Sequence, residues 1–225
     1  MKAAALIVAA GRGTRLGGEV PKQYISLNGP CALRRSIDLF LGLPQIVSLQ
    51  VVIHADDASL YGVSTDGIAD VRLKSAVSGG STRAASVLAG LEALEQDQPD
   101  VVLIHDAARP FMPIGVIEDV ISALESAHGA CAALPVVDAL WEAEDGFAAR
   151  SVARDRLWRA QTPQGFWFDK ILSAHHSHDG TGADDVAVAR DAGLKVRFVP
   201  GSEAGYKITT PDDLDRALRD TKPEV

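Results

Sequence analysis

The strongest constraint on the fold is an alternation along the chain. Short apolar runs take turns with longer segments whose apolar residues recur at helical spacing. Ala3 to Ala9 reads as a buried strand, Ala32 to Leu41 as a helix stopped near Gly42 and Pro44, and Ile46 to His54 as a second strand. Val71 to Val77 is a weaker strand that ends in "SGG". In "STRAASVLAGLEAL", Ala84, Val87, Leu88, Leu91 and Leu94 keep a helical period, with Ser81 placed to cap it. Val101 to His105 has the composition of a strand covered on both faces, as in the middle of a parallel sheet. A helix from about Ile114 to Ala127 and a strand from Cys131 to Val137 follow. Strands separated by helices in this way predict an α/β domain with a doubly wound, mostly parallel sheet.

The period is lost between Ala139 and Phe166, where apolar residues are scattered, and this stretch is expected to form a β-rich arm. Helices resume at Asp169 to His176 and Asp184 to Asp191, followed by a strand at Val196 to Val199. A last helix starts at Pro211, with Asp212 and Asp213 in its first turn, where carboxylates meet the positive end of the helix. The length of 225 residues suits one domain, taken as residues 1–220, with 221–225 as a tail or the start of a linker.

Composition narrows the function classes. Aromatic residues make up only 5%, so Ala, Val and Leu must fill the core. The formal net charge of -8 repels polyanions and excludes nucleic acid as an expected partner, while leaving room for a small anion in a local basic pocket. Cys31 and Cys131 are far apart and lack metal-ligand spacing, which fits a reducing, cytoplasmic setting without a disulfide framework. The opening "MKAAALIVAA" superficially resembles a secretion signal, but it is short and runs directly into a basic glycine-rich loop. No run is long enough to cross a bilayer, so no membrane partner is expected. In "HHSHDG", His175 and His178 could share a helical face and bind a metal; a solvated helix end is the simpler reading.

The loop "AAGRGTRLGGEVPKQY" sits at the carboxyl end of the first strand, where open α/β sheets bind ligands. Three kinds of phosphate loop compete for it. Gly13 and Gly18 have the spacing of a P-loop, but Glu19 stands where lysine is required. Gly11 and Gly13 begin a dinucleotide fingerprint, but Leu16 occupies the third glycine position. The third pattern is G-x-G-x-R followed by P-K, and it is met at Gly11, Gly13, Arg15, Pro21 and Lys22. This pattern is that of nucleotidyltransferases. Glycines let the backbone approach a triphosphate, and two fixed cations neutralise charge that builds on its oxygens during attack at the α-phosphorus.

Together with "SGGSTRAASVLAGL", "IHDAARPF", "RLWRAQTPQGF" and "YKITTPDDL", this loop makes nearly the whole chain resemble the 2-C-methyl-D-erythritol 4-phosphate cytidylyltransferase family. "PKQY" and "HDAARP" are its specific marks, whereas the glycine loop alone marks the wider superfamily. The resemblance implies a Rossmann-like nucleotidyltransferase fold and transfer of CMP from CTP to a polyol phosphate. It makes Arg15 and Lys22 the catalytic cations. It assigns Ala10, Gly11, Gly13, Gly80, Ser81 and Ser86 to CTP. Read without it, "SGGSTRAAS" is equally a plain helix entry.

Asp106, at the end of a buried strand, either holds Mg²⁺ (or another divalent cation) with triphosphate oxygens, or caps the next turn with Arg109 as its partner. The resemblance favours the metal and places Asp106, Arg109, Arg154, Thr162 and Lys207 around the acceptor. It also implies a homodimer in which the arm carries Arg154 into the neighbour's site. Three positions depart from the family: Ala139 and Ala183 stand where threonines usually touch the acceptor, and Gly205 replaces a commoner polar residue. These departures keep a ribitol 5-phosphate cytidylyltransferase in play. A non-catalytic nucleotide sensor is disfavoured because Lys22 and Asp106 are both present. Some family members are fused to the enzyme of a later pathway step, and the sequence leaves open whether this chain is part of such a fusion.

Overall fold

The alternation is realised as a twisted sheet with helices on both faces. The structure, a computed structural model, describes residues 1–13 and 20–222. The strands are β1 (Ala3–Ala9), β2 (Ile46–Ile53), β3 (Val77–Ser78), β4 (Val101–Asp106), β5 (Gly129–Pro135), β6 (Leu140–Glu144), β7 (Phe147–Val152), β8 (Trp158–Trp167) and β9 (Val196–Pro200). The helices are α1 (Ala32–Leu41), α2 (Ala58–Thr65), α3 (Arg83–Leu94), α4 (Ile114–Ala123), α5 (Phe168–Ser177), α6 (Asp185–Asp191) and α7 (Pro211–Asp220). Among the described residues, the main sheet runs β3-β2-β1-β4-β8-β5-β9, with β8 antiparallel to both neighbours and the other pairs parallel.

The period-two geometry of a strand explains how small residues fill two cores. Along β1, Ala3, Ala5, Ile7 and Ala9 face one side, where Leu33, Ile37 and Phe40 of α1 and Ile117 and Val120 of α4 pack. Ala4 and Leu6 face the other, against Val87 and Leu91 of α3 and Ile171 of α5. β4 divides in the same way, with Val101 and Leu103 on the first side and Val102 and Ile104 on the second. The strand order reverses between β1 and β4, which opens a crevice at their carboxyl ends. No helix among the described residues is long and apolar enough to cross a membrane.

The arm is smaller than the lost period implies. Of the expected span 139–166, only the hairpin β6–β7 stands apart from the main sheet, while Trp158–Trp167 enters its centre between β4 and β5. The reason is chemical. The buried half of β8 includes Gln161, Thr162 and Gln164, polar residues that hide from water because each finds hydrogen-bond partners. Gly165 has no side chain because a Cβ there would lie 2.7 Å from Val120 Cγ1.

Other differences are local. The strand expected over 71–77 shrinks to β3 and a single bridge between Leu73 and Leu49. Helix α2 buries no residue fully, so it leaves no apolar stripe in the sequence. The cap of α3 is Thr82, whose hydroxyl accepts from the Ala85 amide, not Ser81. The histidine cluster is only partly a solvated helix end. His175 is buried with its Nε2 3.2 Å from Asp185 Oδ1, and His178 Nε2 lies 3.1 Å from Asp191 Oδ2.

Candidate active site

A cleft of about 470 Å³ lies over the carboxyl ends of β1 and β4. One wall is the start of the glycine loop, Ala10, Gly11 and Gly13, with Lys22 and Gln23. Gly13 has φ +63, and a Cβ there would lie 3.2 Å from Lys22 Cγ, so glycine lets the lysine stem pass close to the loop. Gln23 is almost fully buried and donates from Nε2 to the carbonyls of Ala9 (2.7 Å) and Gly11 (3.1 Å), fastening the loop to the strand that precedes it. Arg12 also lines the cleft, with Nη1 2.8 Å from Oδ1 of the buried Asp57. Arg15, the first of the two expected catalytic cations, lies outside the described residues.

The opposite wall is Gly80, Ser81, Thr82, Arg83 and Ser86 at the entry to α3. With Thr82 serving as the cap, Ser81 is left at the cleft. The Ser86 hydroxyl donates to the Thr82 carbonyl at 2.9 Å, as serine does one turn into a helix.

The floor is Asp106, at the last position of β4 and in register with Val8 of β1. Its carboxylate is ringed by cations. Lys207 Nζ is 2.8 Å and Arg109 Nε 3.7 Å from Oδ2, and Arg83 Nε is 3.8 Å from Oδ1. Burial pushes the Asp106 carboxyl up, but Lys207, Arg83 and Arg109 outweigh burial and hold it well below the usual carboxylate range. Asp106 is therefore an ionised, hard oxygen donor facing the cleft. That donor chemistry fits Mg²⁺, which binds through one or two carboxylates and keeps water and phosphate oxygens as its other ligands.

Behind the floor, polar groups form a closed chain. His105 is fully buried, and burial pushes its pKa down to about 4, so the ring is neutral. Its Nε2 lies 3.0 Å from the Arg109 carbonyl, which can only accept, so Nε2 carries the proton. Nδ1 then accepts from the Thr162 hydroxyl at 3.2 Å, and the Thr162 oxygen accepts from the Asp106 amide at 3.0 Å. Thr162 is thus placed behind Asp106 and is not among the residues lining the cleft. Arg109 donates from Nη1 to the Gly205 carbonyl at 2.8 Å, and Gln161 Nε2 donates to the Ser202 carbonyl at 2.9 Å. These two bonds fix the loop that delivers Lys207.

The structure brings Ala10, Gly11, Gly13, Lys22, Gly80, Ser81, Ser86, Asp106 and Lys207 to one cleft. Arg109 joins them through the Asp106 carboxylate. Arg154 does not line the cleft of its own chain; it is exposed beside the arm, with its guanidinium donating to the Val137 carbonyl. Arg83 and Gln23 were missed. The signal for Gln23 was its place inside "PKQY"; for Arg83 it was a cation opening α3 directly after the glycine pair.

Comparison with known proteins bears on this geometry. A profile of the family "IspD: 2-C-methyl-D-erythritol 4-phosphate cytidylyltransferase" matches residues 3–219. The chain is 48% identical over 217 residues to the bifunctional enzyme IspD/IspF of Paramagnetospirillum magneticum, covering 96% of this chain but 56% of the relative. It thus spans little more than half the length of that relative. It is also 48% identical over 217 residues to the 2-C-methyl-D-erythritol 4-phosphate cytidylyltransferase of Roseobacter denitrificans, covering 96% of each chain. The crystal structure of 4-diphosphocytidyl-2C-methyl-D-erythritol synthase from Anaerococcus prevotii is similar with a TM-score of 0.83 at 27% identity, covering 97% of this chain and 95% of that one.

Proposed function

The chain belongs to the 2-C-methyl-D-erythritol 4-phosphate cytidylyltransferase family, and on that premise we propose that it transfers CMP from CTP to 2-C-methyl-D-erythritol 4-phosphate. The products are pyrophosphate and 4-diphosphocytidyl-2-C-methyl-D-erythritol, a step in isoprenoid precursor biosynthesis. The observation that carries this reading is Asp106, ionised and ringed by Lys207, Arg109 and Arg83 between a glycine loop and the entry to α3.

The reaction joins a phosphate oxygen of the acceptor to the α-phosphorus of CTP and breaks the bond from that phosphorus to the bridging oxygen of pyrophosphate. The acceptor oxygen is already anionic near neutral pH, so no general base is required. The residues agree with that economy. His105 is buried and neutral with both ring nitrogens engaged. Cys131 is buried, and burial pushes its thiol up to about 12. Catalysis rests instead on positioning and on neutralising the charge that develops on the phosphates. Lys22 and Arg15 act on the triphosphate, and Lys207 and Arg109 act on the acceptor phosphate. Asp106 would hold a divalent cation, which would supply further neutralisation of the triphosphate. Gly80, Ser81 and Ser86 read the cytosine, with backbone groups and a hydroxyl matched to a small base.

We place the working protein as a homodimer in the cytoplasm. The hairpin β6–β7 exposes Trp141 and Phe147, at 59% and 78%, which a second copy would cover. Arg154, outside its own cleft, then completes the acceptor site of the neighbour. Both cysteines are free thiols, in keeping with a reducing compartment.

The test is pyrophosphate release with CTP and Mg²⁺ against a panel of polyol phosphates. The highest kcat/KM is expected for 2-C-methyl-D-erythritol 4-phosphate, with ATP and GTP poor in place of CTP. Ala139 and Ala183 give a specific reason to include ribitol 5-phosphate, since two threonine hydroxyls usual in the family are absent. A preference for ribitol 5-phosphate reassigns the acceptor, and comparable turnover with ATP overturns the cytidylyl reading.

A further inference from the structure

Asp185 is the first residue of α6, and its carboxylate is sealed from solvent. A buried charge is costly to keep, and apolar replacements of buried ion pairs are often neutral or stabilising, so stability alone is a weak reason for it. Its partners point elsewhere. Oδ2 lies 2.6 Å from Arg83 Nη2, and Oδ1 lies 3.2 Å from Nε2 of the equally buried His175. Of these three residues Arg83 alone reaches the cleft, where its Nε faces Asp106 Oδ1 at 3.8 Å. Lys207 and Arg109 stand on the other oxygen, Oδ2.

Both ends of this chain of contacts are anchored on β8. Gln164, which pairs with Ile104 of β4, accepts through Oε1 from the amides of Asp185 and Val186, each at 3.1 Å. Its Nε2 donates to Asp184 Oδ2 at 2.9 Å. Two residues earlier, Thr162 accepts from the amide of Asp106. One rigid strand therefore fixes the spacing between Asp106 and the anchor of Arg83.

We propose that Arg83 is a positioning residue: clamped from behind by Asp185, whose other oxygen faces His175, it sets the rotation of the Asp106 carboxylate by attracting Oδ1 while Lys207 and Arg109 attract Oδ2. A guanidinium suits the task because its donors lie in one plane at fixed angles, so Nη2 and Nε address two carboxylates at once; a lysine offers one point of charge. The proposal rests on the reading of Asp106 as the cation ligand and adds the device that aims it.

The test uses Asp185→Asn, a near-isosteric change outside the cleft, and Arg83→Lys, which keeps the charge but cannot span both carboxylates. Each is made on the parent and on an Asp106→Asn background, with folding checked by circular dichroism. On the parent background each is expected to lower kcat by about tenfold or more, with KM for CTP changed less than about threefold. Each is also expected to raise the Mn²⁺ concentration that half-saturates the CTP-bound protein, read from the electron paramagnetic resonance of free Mn²⁺. On the Asp106→Asn background neither substitution adds to the loss, because Arg83 acts through Asp106. Unchanged Mn²⁺ binding on the parent background, or equal losses on both backgrounds, overturns the proposal. The Mn²⁺ measurement needs neither acceptor nor turnover, so its failure is told apart from failure of the parent to turn over CTP.

Discussion

Lys22 passes beside Gly13 in the cleft, directly before the buried Gln23 that fastens the loop. In the proposed reaction its charge acts on the phosphates of CTP, where negative charge grows as the bond to pyrophosphate breaks. An interaction that strengthens only in the transition state raises kcat more than it tightens ground-state binding. Lys22→Ala is expected to lower kcat by about a hundredfold, the scale of removing one fixed donor, while CTP affinity changes less. Steady-state kinetics beside calorimetric titration of CTP reads both quantities, and near-parental turnover removes Lys22 from the catalytic set. At this scale the sequence was most legible where glycine and charge combine. Lys22 follows from a motif with a chemical reason, whereas the metal role of Asp106 and the place of Lys207 follow from the family resemblance. Arg83 was not legible because its role depends on Asp185, which lies 102 positions away.

Strand β8 organises the site as a single element. Thr162 holds Asp106, Gln161 holds the loop before Lys207, and Gln164 holds the start of α6. Gly165 lets the strand lie flush against α4 and β4, since an added Cβ would come within 2.7 Å of Val120 and 2.9 Å of Leu103. Neither neighbour is the free end of a long side chain, so a larger residue must shift the packing. Gly165→Val is therefore expected to destabilise the fold by about 2 kcal/mol or more, the upper part of the range for overpacking. The midpoint of chemical unfolding measures this, and an unchanged midpoint means that the core yields more easily than its contacts imply. The element was hidden in the sequence because its buried face is polar. Hydrophobic periodicity detects strands that bury apolar side chains; this one buries amides and a hydroxyl satisfied largely by residues distant in the chain.

For the molecule as a whole, the separation of Arg154 from its own cleft has a consequence that mixing can reveal. Lys22→Ala and Arg154→Ala are each expected to be nearly inactive. If Arg154 serves the neighbour's cleft, a mixed dimer has one site with both residues intact and one with neither. Random exchange makes about half the dimers mixed, so about a quarter of all sites should regain activity. No recovery, with exchange verified by differently tagged subunits, means that Arg154 acts within its own chain or not at all.

The sequence by itself determined the α/β class, the position of β1 and β4, and the family. These follow from local quantities: the period of apolar residues, and the glycines and charges set at fixed spacing after a strand. It also placed most of the cleft, because in an open sheet the crevice must lie at the carboxyl ends of the strands where the order reverses. The tertiary structure alone decided that β8 runs antiparallel through the middle of the sheet and that, among the described residues, only the hairpin β6–β7 stands apart. It alone decided that Thr162 supports Asp106 from behind, and that Arg83 reaches Asp106 from a buried anchor. The physical reason is the same in each case. A hydrophobic period is written in neighbouring residues, whereas a buried polar group is stable only through partners that folding brings to it from elsewhere in the chain.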